Sequence, residues 1–381
     1  MYKIEILDKN KFQVIVVGGG LAGLISSICL QRAGVNTLLI EKKQYPFHRV
    51  CGEYISMEVK PFLERMELFP DHLKPSMLNR FNLSDLKGNI AEVDLPLGGF
   101  GISRYQLDEF LYQKALDAGV EVKTKAEVIN IRYHENEFIV NLKNGDKFRG
   151  EFIINAYGKR SKLDKTFDRN FIKKKSPFLG VKYHAKVEFP NDLIGLYNFK
   201  GGYCGVSHVE EDKVNICYLS RRENLKGYGG IAEMEEAVLY QNPILKDLFE
   251  RSEMLFDKPE VINEISFEQK ASVENHMIMV GDTAGLITPL CGNGMAMAIH
   301  GGYLASASII KFYQGKLKSR QEVESEYKNV WQQNFSKRLW VGRKTQNLFG
   351  NQMRAGLSVH FVKNFPILAK RLIQQTHGEV F

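Results

Sequence analysis

Three glycines near the start of this 381-residue chain, spaced as Gly18-x-Gly20-x-x-Gly23, form the pattern that points most directly to chemistry. At this spacing the first glycine permits a tight turn, the second lets a pyrophosphate approach the backbone, and the third lets a helix pack close to a strand. The N–H groups at the helix start, including those of Leu21 and Ala22, offer partial positive charge to phosphates. We therefore expect this segment to hold a dinucleotide.

The flanking residues predict the elements that must position these glycines. A β-branched run predicts a strand over 13–17, an apolar stretch predicts a helix over 22–33, and a second strand follows over 37–40. The run 14–30 has no charged residue and is almost long enough to span a membrane, but its glycines argue against such a helix. The alternative to a dinucleotide-binding turn is a glycine-rich turn that binds no ligand.

An acidic residue ends the second strand. Glu41 can accept hydrogen bonds from a ribose, and Lys42 follows it. Because NAD and FAD both fit such a unit, other segments must decide between them. A helix predicted over 103–118 carries Arg104 near its start and Asp108 one turn later.

Later strands and turns extend the same domain. Further strands are predicted over 120–124, 126–133, 138–142 and 147–154. The last two are joined by the Asn144-Gly145 turn that is typical of a hairpin. Gly158 closes the final strand at a place where backbone can come close to a ligand.

A second glycine-rich block lies late in the chain. A strand starting at Met277 runs into Gly281-Asp282, and a loop over 289–294 then precedes a helix predicted over 295–312. Backbone amides at this helix start can face an anionic or electron-rich ligand. A core helix with a flexible loop explains the same residues without a ligand.

Together, the fingerprint ending in Glu41, the helix beginning at Arg104, the turn 156–158 and the block VGDTAGLITPLCGNGMAMAI at 280–299 resemble the para-hydroxybenzoate hydroxylase-fold flavoproteins. That superfamily contains aromatic monooxygenases, flavin-dependent halogenases and geranylgeranyl reductases. The resemblance implies FAD as the cofactor, with NAD(P)H visiting transiently as the reductant.

The resemblance also implies an α/β fold with a Rossmann-type FAD/NAD(P)-binding domain, an inserted antiparallel-sheet substrate domain and a C-terminal helical tail. It assigns 1–165 and 270–312 to the FAD-binding domain, with 55–100 contributing to the substrate lobe. The segments outside the resemblance are then 166–269, which is left as the substrate domain by elimination, and 313–381, which is the C-terminal helical region.

Site residues follow from the resemblance by position. Arg104 would neutralise phosphate, Val128 would lie near the adenine, and Asp282 would bind the ribitol. The full set implied to contact FAD is Gly18, Gly20, Leu21, Ala22, Gly23, Glu41, Lys42, Arg49, Cys51, Arg104, Val128, Gly158, Gly281, Asp282, Pro289, Gly292, Asn293, Gly294 and Met295.

Two motifs within the superfamily point to different reactions. The segment 48–53 resembles the cysteine-glycine motif of the reductases and makes Cys51 the candidate catalytic residue, although Glu53-Tyr54 stand where reductases usually carry further glycine. The loop 292–295 is more similar to that of the monooxygenases. We expect an NAD(P)H-linked FAD oxidoreductase, geranylgeranyl reductase-like, acting on a hydrophobic unsaturated or aromatic small molecule. The alternatives are an aromatic monooxygenase (hydroxylase) and a non-catalytic FAD-binding protein.

The substrate lobe offers fewer signals. Strands are predicted over 180–185 and 214–219, and Tyr54, His184 and Tyr203 are candidate substrate contacts that core packing would explain equally. No spacing of metal ligands stands out, so no metal is expected.

Composition limits the partners. The net charge is +8, yet the basic residues are scattered and form no stripe for nucleic acid. Five cysteines without a C-x-x-C pair indicate neither disulfides nor zinc, and they fit a reducing cytoplasm. The amphipathic, basic segment 355–381 can either rest peripherally on an anionic membrane or pack on the substrate lobe.

Overall fold

The computed structural model describes residues 10–174, 176–263, 265–288, 292–346 and 351–381. The strands, in chain order, are β1 (Lys11–Val17), β2 (Thr37–Ile40), β3 (Tyr54–Ser56), β4 (Ser76–Ser84), β5 (Ile90–Gly101), β6 (Glu121–Lys123), β7 (Val128–His134), β8 (Glu137–Leu142), β9 (Lys147–Asn155), β10 (Phe178–Lys186), β11 (Leu193–Phe199), β12 (Gly202–His208), β13 (Val214–Arg221), β14 (Glu253–Met254), β15 (Glu260–Asn263), β16 (Val273–Glu274) and β17 (Met277–Met279). The α-helices are α1 (Leu21–Arg32), α2 (Lys60–Arg65), α3 (Arg104–Asp117), α4 (Lys162–Thr166), α5 (Ile231–Val238), α6 (Pro243–Arg251), α7 (Gly294–Tyr313), α8 (Arg320–Gln346), α9 (Gln352–Asn364) and α10 (Pro366–Gln374).

The first sheet is built on parallel strands in the order β6-β2-β1-β9-β17. Strand β16 and the β7–β8 hairpin extend this sheet through antiparallel pairs. Val14, Ile15 and Val16 of the central strand have no exposed surface, as expected of a parallel strand that is covered on both faces. Helix α1 packs against α3 and α7. The Rossmann-type α/β arrangement predicted from the sequence is confirmed.

The second sheet has the order β14-β10-β13-β12-β11-β4-β5-β3, and β15 pairs with β10. Its pairs are antiparallel except that of β4 with β11. Met234 and Leu245, from α5 and α6, pack with Tyr218 on one face of the sheet. Leu219 and Tyr203 on the opposite face pack with Val359 of α9. The antiparallel sheet that the sequence predicts for the inserted domain is therefore present.

The C-terminal region is helical, as predicted, but the segment 355–381 is not one continuous helix. The chain breaks between α9 and α10 at Phe365-Pro366, because a residue before proline is driven out of the helical conformation. Val359 and Val362 of α9 pack against the second sheet. No helix in the described part of the chain is both long and apolar enough to cross a membrane.

Residues 376–381, here called the C-terminal tail, return to the first sheet. The ring of Phe381 stacks on His300 of α7 at a centroid distance of 3.7 Å. The Gly378 N–H donates to the carboxylate of Glu58, which is wholly buried and pairs with Arg338 at 2.8 Å. The tail therefore connects α7 with the buried ion pair between Glu58 and α8.

Candidate functional site

Two of the three fingerprint glycines are required by the fold itself. Gly18 has a φ of +105°, and a Cβ there would lie 2.5 Å from the Ala156 carbonyl oxygen, while a Cβ on Gly23 would lie 2.0 Å from the Gly18 oxygen. Gly20 differs, because the nearest atom to an added Cβ is Nη2 of Arg104 at 3.7 Å. The missing side chain at Gly20 keeps a space open at the start of α1, where a phosphate can approach the helix amides.

Glu41, at the end of β2, holds the glycine turn in place. Its buried carboxylate accepts hydrogen bonds from the backbone N–H of Gly19 at 2.8 Å and of Lys43 at 2.9 Å. The Tyr45 hydroxyl donates to the carbonyl oxygen of Gly19. Lys42 is exposed beside this network. Each carboxylate oxygen has two lone pairs, so Glu41 retains capacity to accept a ribose hydroxyl.

Two guanidinium groups lie next to the turn. Arg104 donates to Asp108 through Nε at 2.7 Å and Nη2 at 2.8 Å, and Arg49 donates to the same carboxylate at 2.9 Å. Asp108 is fully buried. One carboxylate therefore orients two cations, and Arg49 also lies 3.5 Å from the Glu41 carboxylate, so two cations and two buried carboxylates lie beside the turn. Guanidinium groups oriented in this way can donate hydrogen bonds to an anion beside Gly20.

The turn after β17 meets α1. Gly281 has a φ of +57°, and a Cβ there would lie 3.2 Å from the Cβ of Ala22. The Lys270 ammonium donates to the carbonyl oxygens of Asp282 at 2.8 Å and Lys159 at 2.9 Å. Burial lowers the pKa of Lys159, an effect that the nearby Asp282 carboxylate opposes. Sequence reasoning missed Lys159, since a lysine after a turn glycine is usually solvated.

Hydrogen bonds also fix the Gly158 turn and the start of the predicted adenine strand. The N–H of Gly158 donates to the Thr283 hydroxyl at 2.9 Å, and that hydroxyl donates back to the Gly158 carbonyl at 3.1 Å. Val128 is buried at the start of β7, and the N–H of Ala126 just before it donates to the Glu41 carbonyl at 3.0 Å. The β9 and β17 turns are thus fastened together, and β7 begins beside Glu41.

The segment 48–53 passes between the two sheets. Cys51 is half-buried in this segment, and its carbonyl oxygen accepts a hydrogen bond of 3.3 Å from the side-chain amide of Asn215 in β13. Burial raises the pKa of the Cys51 thiol, so the group carries its proton at neutral pH. A neutral thiol is a poor nucleophile but keeps a proton to give.

A buried carboxylate lies directly after this thiol. Glu53 is fully buried with a φ of +54°, a conformation that non-glycine residues seldom adopt. It accepts hydrogen bonds from the ammonium of Lys182, from Nε2 of His184 at 2.6 Å and from the N–H of Arg104 at 2.7 Å. Burial works to raise the pKa of Glu53, but the Lys182 charge and the His184 hydrogen bond outweigh it and lower the pKa to about 2.

Alternation along β10 and β13 explains which residues face this segment. Lys182 and His184 on β10, and Asn215 and Cys217 on β13, share the face opposite the α5–α6 packing cluster. His184 was a sequence candidate, whereas Glu53 and Lys182 were missed. Only the buried environment distinguishes this lysine from an ordinary surface lysine, and the sequence does not display that environment.

The late glycine loop packs against Tyr54. Gly292 has a φ of +61°, and a Cβ there would lie 2.9 Å from the Tyr54 ring. The side-chain amide of Asn293 donates to the Thr376 carbonyl oxygen at 2.8 Å. Gly294 begins α7, and the adjacent Met295 is buried. Pro289 lies outside the described residues.

Tyr203, in β12, lies on the same face of the second sheet as Cys217. It is buried opposite Leu219 in β13 and belongs to an apolar cluster that also contains Val359 and Val362 of α9. The structure thus brings the fingerprint, the two guanidinium groups, the 48–53 segment and His184 toward one junction between the sheets. Tyr203 belongs to the packing beneath the C-terminal helices instead.

Known proteins with similar sequences fit this arrangement. A family model described as "FAD binding domain" matches residues 11–66. A digeranylgeranylglycerophospholipid reductase from Methanococcus vannielii is 25% identical over 372 residues, covering 91% of this chain and 90% of that protein. An FAD-dependent monooxygenase from Penicillium janthinellum is 27% identical over 168 residues, which cover 41% of this chain and 34% of that protein.

Solved structures show the same fold. A geranylgeranyl bacteriochlorophyll reductase-like protein from Thermoplasma acidophilum aligns with a TM-score of 0.73 at 18% identity, covering 96% of this chain and 99% of that one. The flavin-dependent brominase Bmp2 aligns with a TM-score of 0.77 at 16% identity, covering 96% and 94%. The open space at Gly20, the amides of α1 and the two guanidinium groups are what a flavin dinucleotide requires.

The buried carboxylate of Glu53 generates a prediction about acid stability. Its pKa falls from 4.5 in the unfolded chain to about 2 in the folded protein, so its stabilising effect is complete above pH 4.5 and is lost as the pH falls towards 2. Glu53→Gln should therefore lower the free energy of unfolding at pH 7 by about 3 kcal/mol. The difference from the parent protein should shrink at pH 3, as measured by urea unfolding at both values.

A suitable control is Glu64→Gln, because Glu64 is half-exposed and pairs with Lys60 across one helical turn. This control should change stability by less than about 1 kcal/mol at either pH. An equal loss of stability at pH 7 and pH 3 in Glu53→Gln would show that the ionised carboxylate is not what stabilises the junction.

Proposed function

We propose that this chain, an FAD-dependent oxidoreductase of the para-hydroxybenzoate hydroxylase-fold superfamily, uses NAD(P)H to reduce a carbon–carbon double bond of a hydrophobic substrate. Saturating such a bond requires a hydride and a proton, and NAD(P)H becomes NAD(P)⁺. FAD, when bound, supplies the two-electron carrier between donor and substrate. The observation that carries the proposal is the position of Cys51, which packs against the core of the first sheet while Asn215 of the second sheet holds its carbonyl oxygen, so that a thiol able to supply the proton lies between the two sheets.

The residues that would hold FAD are assigned from their positions. The α1 amides at Leu21 and Ala22, together with Arg49 and Arg104, would bind the pyrophosphate. Glu41 would accept the adenosine ribose, with Lys42 and Val128 beside the adenosine. Gly158, Gly281 and Asp282 would lie along the ribitol. The loop Gly292–Met295 would line the isoalloxazine ring.

The chemistry required of the protein is positioning and proton supply. Asn215 holds the Cys51 carbonyl, and the cluster around Glu53 fixes the next turn of the chain. The segment that carries the thiol is therefore held by contacts from the second sheet and from the start of α3. A thiol that is protonated at neutral pH can give its proton to a carbanion-like carbon and is then reprotonated from solvent.

Aromatic hydroxylation is the second candidate. The match to an FAD-dependent monooxygenase and the loop Gly292–Met295 favour it. A hydroxylase consumes oxygen and inserts one of its atoms into the ring. The Cys51 thiol has no evident part in that reaction, so the reductase accounts for more of the site.

FAD retention tests the cofactor assignment. Gly20→Val should abolish FAD binding by filling the space beside α1, while the melting temperature of the apoprotein should stay unchanged, since the nearest atom is 3.7 Å away. Asp282→Ala removes a charge-assisted hydrogen bond of about 1.5–3 kcal/mol and should weaken FAD binding about ten- to a hundredfold. Flavin absorbance after gel filtration measures both variants.

The control for these variants is Asp71→Ala, because Asp71 is exposed in the short helix 71–73. It should retain FAD fully. The assignment fails if Gly20→Val and Asp282→Ala also remain fully loaded.

Cys51 separates the reductase from the hydroxylase. Under argon, NAD(P)H should bleach the flavin equally in the parent protein and in Cys51→Ala. With digeranylgeranylglycerophospholipid, the compound in the relatives' name, Cys51→Ala should turn over about a hundredfold more slowly. Cys217→Ala, which removes the neighbouring thiol, is the matched control and should keep the parent rate.

Measuring oxygen uptake distinguishes the reductase from the hydroxylase. A reductase should show no stimulation of oxygen uptake by its substrate. If an aromatic compound strongly stimulates oxygen uptake, and does so equally in the parent protein and in Cys51→Ala, the enzyme is a hydroxylase and not a reductase.

We also propose that the enzyme works in the cytoplasm, peripherally attached to an anionic membrane through α9 and α10. The exposed fractions of Met353 and Ile367 are 71%, and that of Leu357 is 61%. Lys363 and Arg371 lie on the same two helices. An apolar patch bordered by basic side chains suits the boundary between anionic headgroups and acyl chains.

Vesicle sedimentation tests this contact. The protein should pellet with vesicles of 80% phosphatidylcholine and 20% phosphatidylglycerol, and less with pure phosphatidylcholine or at high salt. The double variant Ile367→Glu/Leu368→Glu should stay in the supernatant. Trp340→Glu, which changes an equally apolar exposed residue of α8, should pellet like the parent. If the double variant also pellets, the helices do not form the contact.

A further inference from the structure

A cavity of about 250 Å³, here called the tail cavity, lies between β3, β5 and the end of the chain. Leu95, Leu97 and Ile373 give it apolar walls. Pro96 and Gln374 also line it and are exposed, so they mark its mouth. A space with this lining favours an apolar molecule.

Two polar side chains face each other within this lining. The hydroxyl of Tyr54 lies 3.4 Å from Nε2 of His377 and 3.2 Å from the carbonyl oxygen of Gly98. Nδ1 of His377 lies 2.9 Å from the carbonyl oxygen of Ile373, so Nδ1 carries the proton and donates to it. Nε2 is then a hydrogen-bond acceptor, and burial keeps the ring neutral by lowering its pKa.

The tail cavity adjoins the loop assigned to the isoalloxazine ring. The Tyr54 ring forms part of the cavity wall and also packs against Gly292. The amide of Asn293 holds the Thr376 carbonyl, which directly precedes His377. One tyrosine therefore separates the cavity from the loop.

We propose that the tail cavity binds an apolar molecule carrying a single hydroxyl group, with the hydroxyl donating to His377 Nε2. The carbon chain lies against Leu95, Leu97 and Ile373. Residues 95–97 and 373–378 thus determine together which molecule enters. The identification of this molecule as the substrate that the flavin reduces rests on the proposed function, whereas its binding in the tail cavity does not.

Geraniol, a ten-carbon alcohol, and myrcene, a hydrocarbon with the same carbon skeleton, are the probes. Calorimetry on the oxidised holoenzyme, without NAD(P)H, should show geraniol binding in the parent protein. Leu97→Trp fills the cavity and Pro96→Trp blocks its exposed mouth, so each should weaken binding of both probes at least tenfold. Leu116→Trp, at an exposed position of α3, is the control and should bind normally.

The polar contact has its own test. His377→Leu should weaken geraniol about three- to tenfold, the value of one neutral hydrogen bond, and leave myrcene unchanged. His360→Leu, at an exposed histidine of α9, should alter neither probe. Full flavin occupancy shows that each variant is folded.

Unchanged geraniol binding in both tryptophan variants would overturn the site. Equal weakening of geraniol and myrcene in His377→Leu would overturn the hydroxyl contact. If the tryptophan variants block geraniol binding but the parent protein reduces no prenyl substrate, the proposed function is wrong while the tail cavity remains a binding site.

Discussion

Glu53 keeps a negative charge at the junction of the two sheets, where its side chain has no contact with solvent. A charge in that position is tolerated only when it is paired and fully hydrogen-bonded. Lys182 and His184 supply that pairing from β10, and the Arg104 N–H supplies it from the start of α3. The strained backbone at Glu53 is therefore held by three contacts from two other elements. The position of Cys51, two residues earlier, depends on this arrangement.

The glycine turn and the 48–53 segment differ in how their groups are charged. At the turn, Arg49 and Arg104 share the Asp108 carboxylate, and Arg49 also lies 3.5 Å from the Glu41 carboxylate. Burial keeps the Cys51 thiol and the His377 ring neutral. Paired charges therefore surround the turn, while the thiol and the imidazole carry no charge of their own.

The fingerprint was predictable because its determinants are consecutive in the sequence. The strand, the glycines, the helix and Glu41 all fall within 13–41, and helix α1 begins one residue earlier than the pattern predicts. The cluster around Glu53 was not predictable. Its partners lie 129 and 131 residues away, and the positive φ of a glutamate leaves no mark in the sequence. The break at Phe365-Pro366 carried a signal in its proline, but the amphipathic pattern across it suggested one continuous segment.

The connection of the C-terminal tail to the flavin loop has a consequence for how such proteins diversify. The wall of the tail cavity at 373–378 shares no residue with the fingerprint at 18–41. If the tail cavity binds a ligand as proposed, exchanges among its lining residues would change which ligand fits without touching the glycine turn, and duplicated genes would reach new ligands by changing a few codons. Proteins descended from one ancestor would therefore keep the glycine turn near the start of the chain and differ most in the residues that line the tail cavity.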